Sequence, residues 1–85
     1  MQVSIPSSLL SYTNAPQVEA SGASLTDLLA DLDRRYPGLR FRVIDEQGKR
    51  RKYMRFFVNG EQVFGLALAL HQTDEVYPIP ALSGG

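Results

Sequence analysis

The sequence contains no cysteine, no tryptophan and a single histidine, His71. Without cysteine the chain forms no disulfide, has no thiol nucleophile and offers no thiolate to a metal ion. A histidine without a histidine or cysteine partner is more typical of a surface turn than of a metal site or a catalytic base. The carboxylates are scattered, and no pair is placed for acid–base catalysis. These residues therefore predict neither a metal site nor a catalytic carboxylate pair.

The sequence also lacks an excess of charge of either sign and any long apolar run. Nine basic and nine acidic residues give the 85-residue chain a net charge of zero. Proteins dedicated to nucleic acid carry a basic excess, so nucleic acid is not expected as a partner. No N-terminal signal pattern is present and no apolar stretch is long enough to cross a bilayer. We therefore expect no membrane association and a cytoplasmic location.

Apolar residues at spacings of three and four predict one main helix. Ser24 is a good N-cap, with Asp27 three residues later, and Pro37-Gly38 ends the helix. An apolar stripe runs between these signals, which is typical of a helix that covers a core. Its members are Leu25, Leu28, Leu29, Leu32 and Tyr36.

Polar and apolar residues that alternate predict five short strands. They are expected over residues 2–5, 17–20, 53–58, 61–64 and 75–79. Asn59-Gly60 lies between the third and fourth strands and is typical of a type I′ hairpin turn. Residues 39–45 fit either a strand or a short helical turn.

The order strand, strand, helix, strand, strand, strand predicts an α+β fold. The economical packing lays one amphipathic helix across one face of a mixed sheet of about five strands, which is the β-grasp arrangement. The apolar face of each strand then joins the helix stripe in the core. The expected core residues are Leu28, Leu32, Met54, Phe56, Val58 and Val76.

The opposite strand faces carry a candidate binding patch. Successive side chains in a strand point to opposite faces, so Phe57, Tyr77 and Ile79 are expected on the open face of the sheet. Three apolar residues together on an open face are typical of a docking surface. Two alternatives remain, since residues 39–45 or a second subunit would also cover them.

A basic and aromatic run precedes the third strand. Residues 49–52 read Lys-Arg-Arg-Lys and are followed by Tyr53 and Arg55. Because the whole chain is neutral, a solvated loop is the favoured interpretation. Docking of an acidic partner is the alternative.

The sequence ends in PIPALSGG, and the terminal Gly84-Gly85 pair has no side chains to pack. Glycine loses more backbone freedom on ordering than any other residue. We expect a β-grasp domain over residues 1–80 and a flexible C-terminal tail over residues 81–85. Chance or a truncated sequence would also account for the pair.

The ending DEVYPIPALSGG resembles the C-terminal signature of the ThiS/MoaD sulfur carriers, relatives of ubiquitin. That signature consists of Asp-Glu-Val, an apolar stretch, Pro-Pro or Pro-Ala, small residues and Gly-Gly. FVNG at residues 57–60 is similar to the end of the family's third strand. Gln72-Thr73-Asp74 departs from the usual Asp-Gly-Asp turn, and Pro78 stands where members carry an apolar residue. Because proline cannot donate to a strand ladder, we expect a bulge or a displaced strand end there.

The resemblance implies a ubiquitin-like carrier whose working group is the carboxylate of Gly85. An E1-like enzyme would adenylate Gly85 with ATP and magnesium, while the chain itself binds no cofactor. A sulfurtransferase or sulfide would convert the adenylate to a thiocarboxylate. A biosynthetic enzyme of a cofactor or an amino acid would then accept the sulfur.

The resemblance also suggests roles for the residues around the terminus. Leu82, Ser83 and Gly84 would form the tail that reaches into the partner, and the open-face residues would bind the activating enzyme. Two other functions stay open. The first is a protein modifier that is joined through Gly85 to lysines. The second is a plain β-grasp interaction domain with an accidental Gly-Gly ending.

Overall fold

A computed structural model describes residues 1–80 of the chain. All five expected strands and the main helix are present, and three short helical segments join them. The strands are β1 (Gln2–Ser4), β2 (Gln17–Glu19), β3 (Met54–Val58), β4 (Glu61–Val63) and β5 (Glu75–Pro80). The helices are α1 (Leu10–Thr13), preceded by a 3-10 turn (Ser7–Leu9), the main helix α2 (Leu25–Arg35), and α3 (Leu39–Val43). None of the helices in residues 1–80 is long and apolar enough to cross a bilayer.

The strands form one mixed sheet in the order β2-β1-β5-β3-β4. β1 and β5 pair in parallel, and the other neighbours are antiparallel. The last strand in the chain is therefore the central strand of the sheet. The predicted turn joins β3 to β4, with φ angles of 53° at Asn59 and 85° at Gly60, the positive values that a type I′ turn requires.

The main helix begins where the sequence predicts. The hydroxyl of Ser24 accepts a hydrogen bond from the backbone N–H of Asp27 over 3.3 Å, which satisfies one of the free N–H groups at the helix start. The four leucines of the stripe are buried, and Tyr36 is half-buried after the last turn. The six core residues expected from the sequence are all buried as well.

Residues 39–43 form a helix rather than a strand. Gly38 has a φ of 95° and lets the chain reverse after α2. Leu39 and Val43 are four residues apart, about one helical turn, so they lie on the same face of α3. Both are buried. α3 packs beside α2 and belongs to the helical layer.

Two short segments between β1 and β2 have no counterpart in the prediction. The 3-10 turn and α1 together cover residues 7–13, and they place Leu9 in the core. Asn14 then ends α1 in the left-handed conformation, with a φ of 57°. These segments are too short for apolar periodicity to reveal them.

The bulge expected at Pro78 is absent, because the register between β3 and β5 is continuous from Val58↔Val76 to Met54↔Pro80. The N–H of Asn59 donates to the carbonyl of Glu75, so hydrogen-bonded and non-hydrogen-bonded positions alternate from there. Pro78 falls opposite Phe56 at a non-hydrogen-bonded position. Its nitrogen therefore faces β1, whose pairing with β5 extends only to Val76. No ladder donor is lost at Pro78.

Candidate functional site

Three apolar side chains lie together on the face of the sheet opposite the helices; we call Phe57, Tyr77 and Ile79 the open-face patch. Phe57 and Tyr77 are direct cross-strand partners, and Ile79 follows at the next position on that face, opposite Arg55. Tyr77 is 47% exposed, while Phe57 and Ile79 are half-buried. α3 lies in the helical layer, so it does not cover this patch. One of the two alternatives to a docking surface is thereby removed.

The described part of β5 ends beside this patch. Pro80, the last described residue, lies opposite Met54 at the beginning of β3. Beside it is a recess of about 230 Å³. The recess is lined by Ser8, Leu9, Arg42, Tyr53, Met54 and Pro80. The chain therefore continues toward its C-terminus from a point that borders both the open face and a basic side chain.

The expected tail residues cannot be placed. Leu82, Ser83, Gly84 and Gly85 lie outside the described residues. Their roles rest on the sequence and on similarity to other proteins.

Three arginine side chains near the start of β3 are held by backbone carbonyls. Arg55 donates from Nη1 to the carbonyls of Lys52 and Met54 over 2.7 and 2.9 Å. Arg50 donates from Nη1 to the same carbonyl of Met54 over 2.8 Å. Arg51 donates from Nε to the carbonyl of Phe41 over 2.6 Å. Neutral backbone groups thus position these guanidinium groups.

A polar network closes the opposite end of β5. The carboxylate of Asp74 accepts from the side-chain amide of Asn59 and from the backbone N–H of His71, both over 2.9 Å. The backbone N–H of Glu75 donates to the side-chain oxygen of Asn59 over 3.0 Å. The hydrogen bond from His71, followed by that from Asn59, lowers the pKa of Asp74.

This network gives structural roles to residues of the family-like motifs. Asn59 and Asp74 bind each other and the chain around them, while Val76 is buried in the core. His71 itself is exposed in a turn, as expected. Sequence reasoning did not pair Asn59 with Asp74, because the two lie 15 residues apart on different strand ends.

The described residues hold no metal-binding cluster. Across residues 1–80, no group of three or more histidine or carboxylate side chains is close enough to bind a metal ion. The side chains gathered near the exit point are instead apolar, aromatic and basic. Such an arrangement is suited to contacting another protein.

The chain is similar to known proteins over nearly its whole length. The chain matches the profile of the ThiS family over residues 3–85. The sulfur carrier protein CysO of Mycobacterium tuberculosis is 37% identical over 89 residues, covering 98% of this chain and 96% of that protein. A crystal structure of M. tuberculosis CysO superposes with a TM-score of 0.89 at 36% identity, covering 95% of this chain and 98% of the other.

Two further structures share the fold. One, a crystal structure of the Amycolatopsis orientalis BexX/CysO complex, contains a chain with a TM-score of 0.90 and 32% identity, covering 99% of this chain and 98% of that one. The other is small archaeal modifier protein 1 of Methanosarcina acetivorans, with a TM-score of 0.82 and 26% identity. Coverage is 99% of this chain and 94% of the archaeal protein.

Proposed function

Since the chain belongs to the ThiS family, we propose that it is a sulfur carrier, and that Gly85 is the residue that takes up and delivers the sulfur. It is a ubiquitin-like carrier rather than an enzyme, like the CysO proteins that it matches over nearly their whole length. The observation that carries this proposal is the family match, which extends through Gly85.

The chemistry at Gly85 takes two steps, both in the active site of a partner. A carboxylate oxygen of Gly85 attacks the α-phosphorus of ATP and releases pyrophosphate, leaving an acyl adenylate. A hydrosulfide ion then attacks the carbonyl carbon. A carbon–sulfur bond forms as the carbon–oxygen bond to AMP breaks, and one proton is lost to give a thiocarboxylate. No atom is oxidised or reduced when sulfide is the nucleophile.

The contribution of this chain is to present its carboxylate. ATP and magnesium belong to the activating enzyme, and holding the carboxylate in line with the α-phosphate supplies the effective concentration that the step needs. Gly84 and Gly85 have no side chains to obstruct a narrow channel. Pro80 fixes its own φ at the point where the described strand ends, which restricts the direction in which the chain continues.

Three partners follow from this chemistry. An E1-like adenylating enzyme binds the open-face patch, a sulfurtransferase or sulfide supplies the sulfur, and a biosynthetic enzyme accepts it. The BexX/CysO complex is a precedent for a carrier of this fold bound to another protein. The patch is suited to such contact because its apolar residues lie next to the strand end that leads to Gly85.

The test is the mass of the intact protein after activation. The chain is incubated with its adenylating enzyme, ATP, magnesium and sulfide, and is then measured by mass spectrometry. We expect the increase produced by replacing one oxygen with sulfur, and fragmentation should locate it at Gly85. A variant that lacks Gly85 should remain unmodified while unfolding at the same temperature. An unchanged mass, with the same enzyme working on another carrier, would contradict the proposal.

Protein modification is the second candidate function. The likeness to small archaeal modifier protein 1, at 26% identity over almost the whole chain, favours it. The same adenylate of Gly85 would then be attacked by a lysine amine to form an amide bond. Conjugates joined through Gly85 in cell extracts would support this function. A plain interaction domain would show neither the sulfur adduct nor the conjugates.

A further inference from the structure

The zero net charge of the chain conceals a separation of charge along the sequence. Residues 40–55 contain seven of the nine basic residues and only two of the nine acidic ones, a local charge of +5. The remainder contains two basic and seven acidic residues, a charge of −5. We call the seven the basic group: Arg40, Arg42, Lys49, Arg50, Arg51, Lys52 and Arg55.

The fold turns this separation into a polarity along the strands. β3 begins at the basic group, where Met54 and Arg55 lie opposite the last residues of β5. Acidic residues stand at the other end of the sheet. Glu61 lies opposite Val58, and Gln2 has Glu19 on one side and Glu75 on the other. The chain therefore continues toward Gly85 from the basic end of the molecule.

Ion pairs do not neutralise the basic group. In residues 1–80 the ion pairs link Asp31 to two arginines of α2 and Glu19 to the N-terminal ammonium, and none involves the basic group. The hydrogen bonds of Arg50, Arg51 and Arg55 go to neutral backbone carbonyls. One acid among these cations is Asp45, whose pKa is lowered by a hydrogen bond from the backbone N–H of Lys49 and also by the charges of Arg51 and Lys49. Asp45 is already counted in the local charge of +5, so an excess of positive charge remains.

Exposed aromatic rings lie among these charges. Phe41 is 51% exposed, Tyr53 43% and Phe64 73%. Phe64 follows β4 and lines a recess together with Lys49 and Arg50. Aromatic residues and arginine are the residues enriched in protein–protein interfaces, and they account for most of the strong contacts found there.

We propose that the basic group is a docking surface for an acidic face of the activating enzyme, located around the opening that receives the C-terminal residues. This rests on the proposed function, because an enzyme that takes the carboxylate of Gly85 must bind near the end of β5 that leads to Gly85. The acidic face attracts the basic group and repels the end of the sheet that carries Glu19, Glu61 and Glu75. The field therefore orients the carrier with its terminus forward and raises the rate of productive encounter.

The test neutralises two exposed lysine side chains. The side chains of Lys49 and Lys52 are exposed and make no hydrogen bond within residues 1–80, so the double variant Lys49→Gln/Lys52→Gln should fold normally. The matched control is Gln17→Glu/Gln72→Glu, which lowers the net charge by the same amount at exposed positions outside the basic group. Thermal unfolding checks both variants. The readout is pyrophosphate release by the activating enzyme as a function of carrier concentration.

In low salt we expect the KM of the lysine variant to rise by about 3- to 10-fold, with kcat nearly unchanged. The control should change by less than about twofold. The difference in KM between the two variants should shrink in about 0.5 M salt, because the charges are then screened over a few ångströms.

Other outcomes would overturn the docking surface. Equal KM values for the two variants, with adenylation proceeding, would reject the surface and leave the sulfur carrier intact. A loss of binding to a single-stranded oligonucleotide without a change in KM would make the basic group a nucleic-acid site instead. Failure of the unaltered chain to be adenylated would reject the proposed function, and this surface with it.

Discussion

Asn59 and Asp74 are joined by a hydrogen bond of 2.9 Å from amide to carboxylate. The oxygen of the same amide accepts the backbone N–H of Glu75 over 3.0 Å. Asn59 also has a positive φ and occupies the first central position of the turn between β3 and β4. One residue therefore both turns the hairpin and fixes the start of the central strand β5.

Substitution of Asn59 should separate these two roles. Asn59→Gly keeps the positive φ but removes both side-chain hydrogen bonds, so we expect a loss of about 1–3 kcal/mol in the free energy of unfolding. Asn59→Ala should lose about 1 kcal/mol more, since alanine resists the left-handed conformation. Urea denaturation measures both. Asn14→Gly is the matched control, because Asn14 also has a positive φ but its side chain makes no hydrogen bond within residues 1–80. Equal effects at the two sites would show that the side-chain bonds of Asn59 contribute nothing net.

Truncation of the main helix stripe should be costly. Leu32 is 2% exposed, and Leu32→Ala should reduce the free energy of unfolding by about 2–5 kcal/mol. That is a large part of the stability of so small a domain. Leu68→Ala serves as the control, since Leu68 is 40% exposed. A loss below about 0.5 kcal/mol for Leu32→Ala in urea titrations would mean that the stripe does not support the core.

Gly22 is required by the close approach of the chain to the start of α2. A Cβ atom there would collide with the backbone nitrogen of Leu28 and lie 2.8 Å from the carbonyl carbon of Asp27. Backbone cannot move aside cheaply, so Gly22→Ala should destabilise the protein by about 1–3 kcal/mol or more. Gly65→Ala is the control, because nothing lies within 4 Å of its added Cβ. Similar melting temperatures for the two variants would contradict this reading of Gly22.

Asp31 should make stability depend on pH in the acidic range. Its carboxylate accepts from the backbone N–H of Ser21 and from Arg34 and Arg35, and these contacts lower its pKa from the ordinary 3.8 to about 2. A carboxyl whose pKa is lower in the folded state stabilises that state when the pH is above the pKa of the unfolded state. The contribution disappears as the pH falls through the pKa of the folded state.

We therefore expect Asp31→Asn to be less stable than the unaltered chain at neutral pH. The gap should narrow as the pH falls from 3.8 to about 2. Urea unfolding at a series of pH values measures it. Glu46→Gln, at an exposed position, is the control and should show a much smaller gap. A gap that stays constant down to the lowest pH would exclude Asp31 as its source.

The open-face patch should be sensitive to charge. Ile79→Asp places a carboxylate in the open-face patch, opposite Arg55. It should abolish binding to the activating enzyme, because that carboxylate would lose its hydration on docking. Gln17→Asp adds the same charge on the edge strand β2 and should bind normally. Calorimetric titration with the enzyme gives the affinities, and circular dichroism verifies the fold. Unchanged affinity for Ile79→Asp would remove the patch from the interface.

The elements that could be predicted are those that local spacing determines. The stripe of α2, the cap at Ser24 and the turn at Asn59-Gly60 depend on residues within one or two turns of the chain. Alternation within β3 and β5 likewise assigned Phe56 to the core and Phe57 to the open face, since the side-chain period of a strand is two.

Three features depended on contacts between distant segments. Pro78 is tolerated because its nitrogen faces away from β3, and only the register between the two strands sets that direction. Residues 39–43 became a helix because Leu39 and Val43 complete the core beside α2. Asn59 contacts Asp74 because β5 pairs with β3 in the middle of the sheet.

The sequence by itself determined the main helix, the five strands, six of the core residues and the resemblance that points to Gly85. These follow from residue spacing and from a contiguous motif. Only the tertiary structure decided how charge is arranged. A net charge of zero favoured a solvated loop for residues 49–52. The net charge, however, does not say where the charged side chains lie in the folded protein. Folding placed Arg42, Arg50 and Arg55 at the end of the sheet that leads to Gly85. The acidic residues Glu19, Glu61 and Glu75 lie at the other end. Charges act through distance, so their effect on a partner exists only in the folded chain.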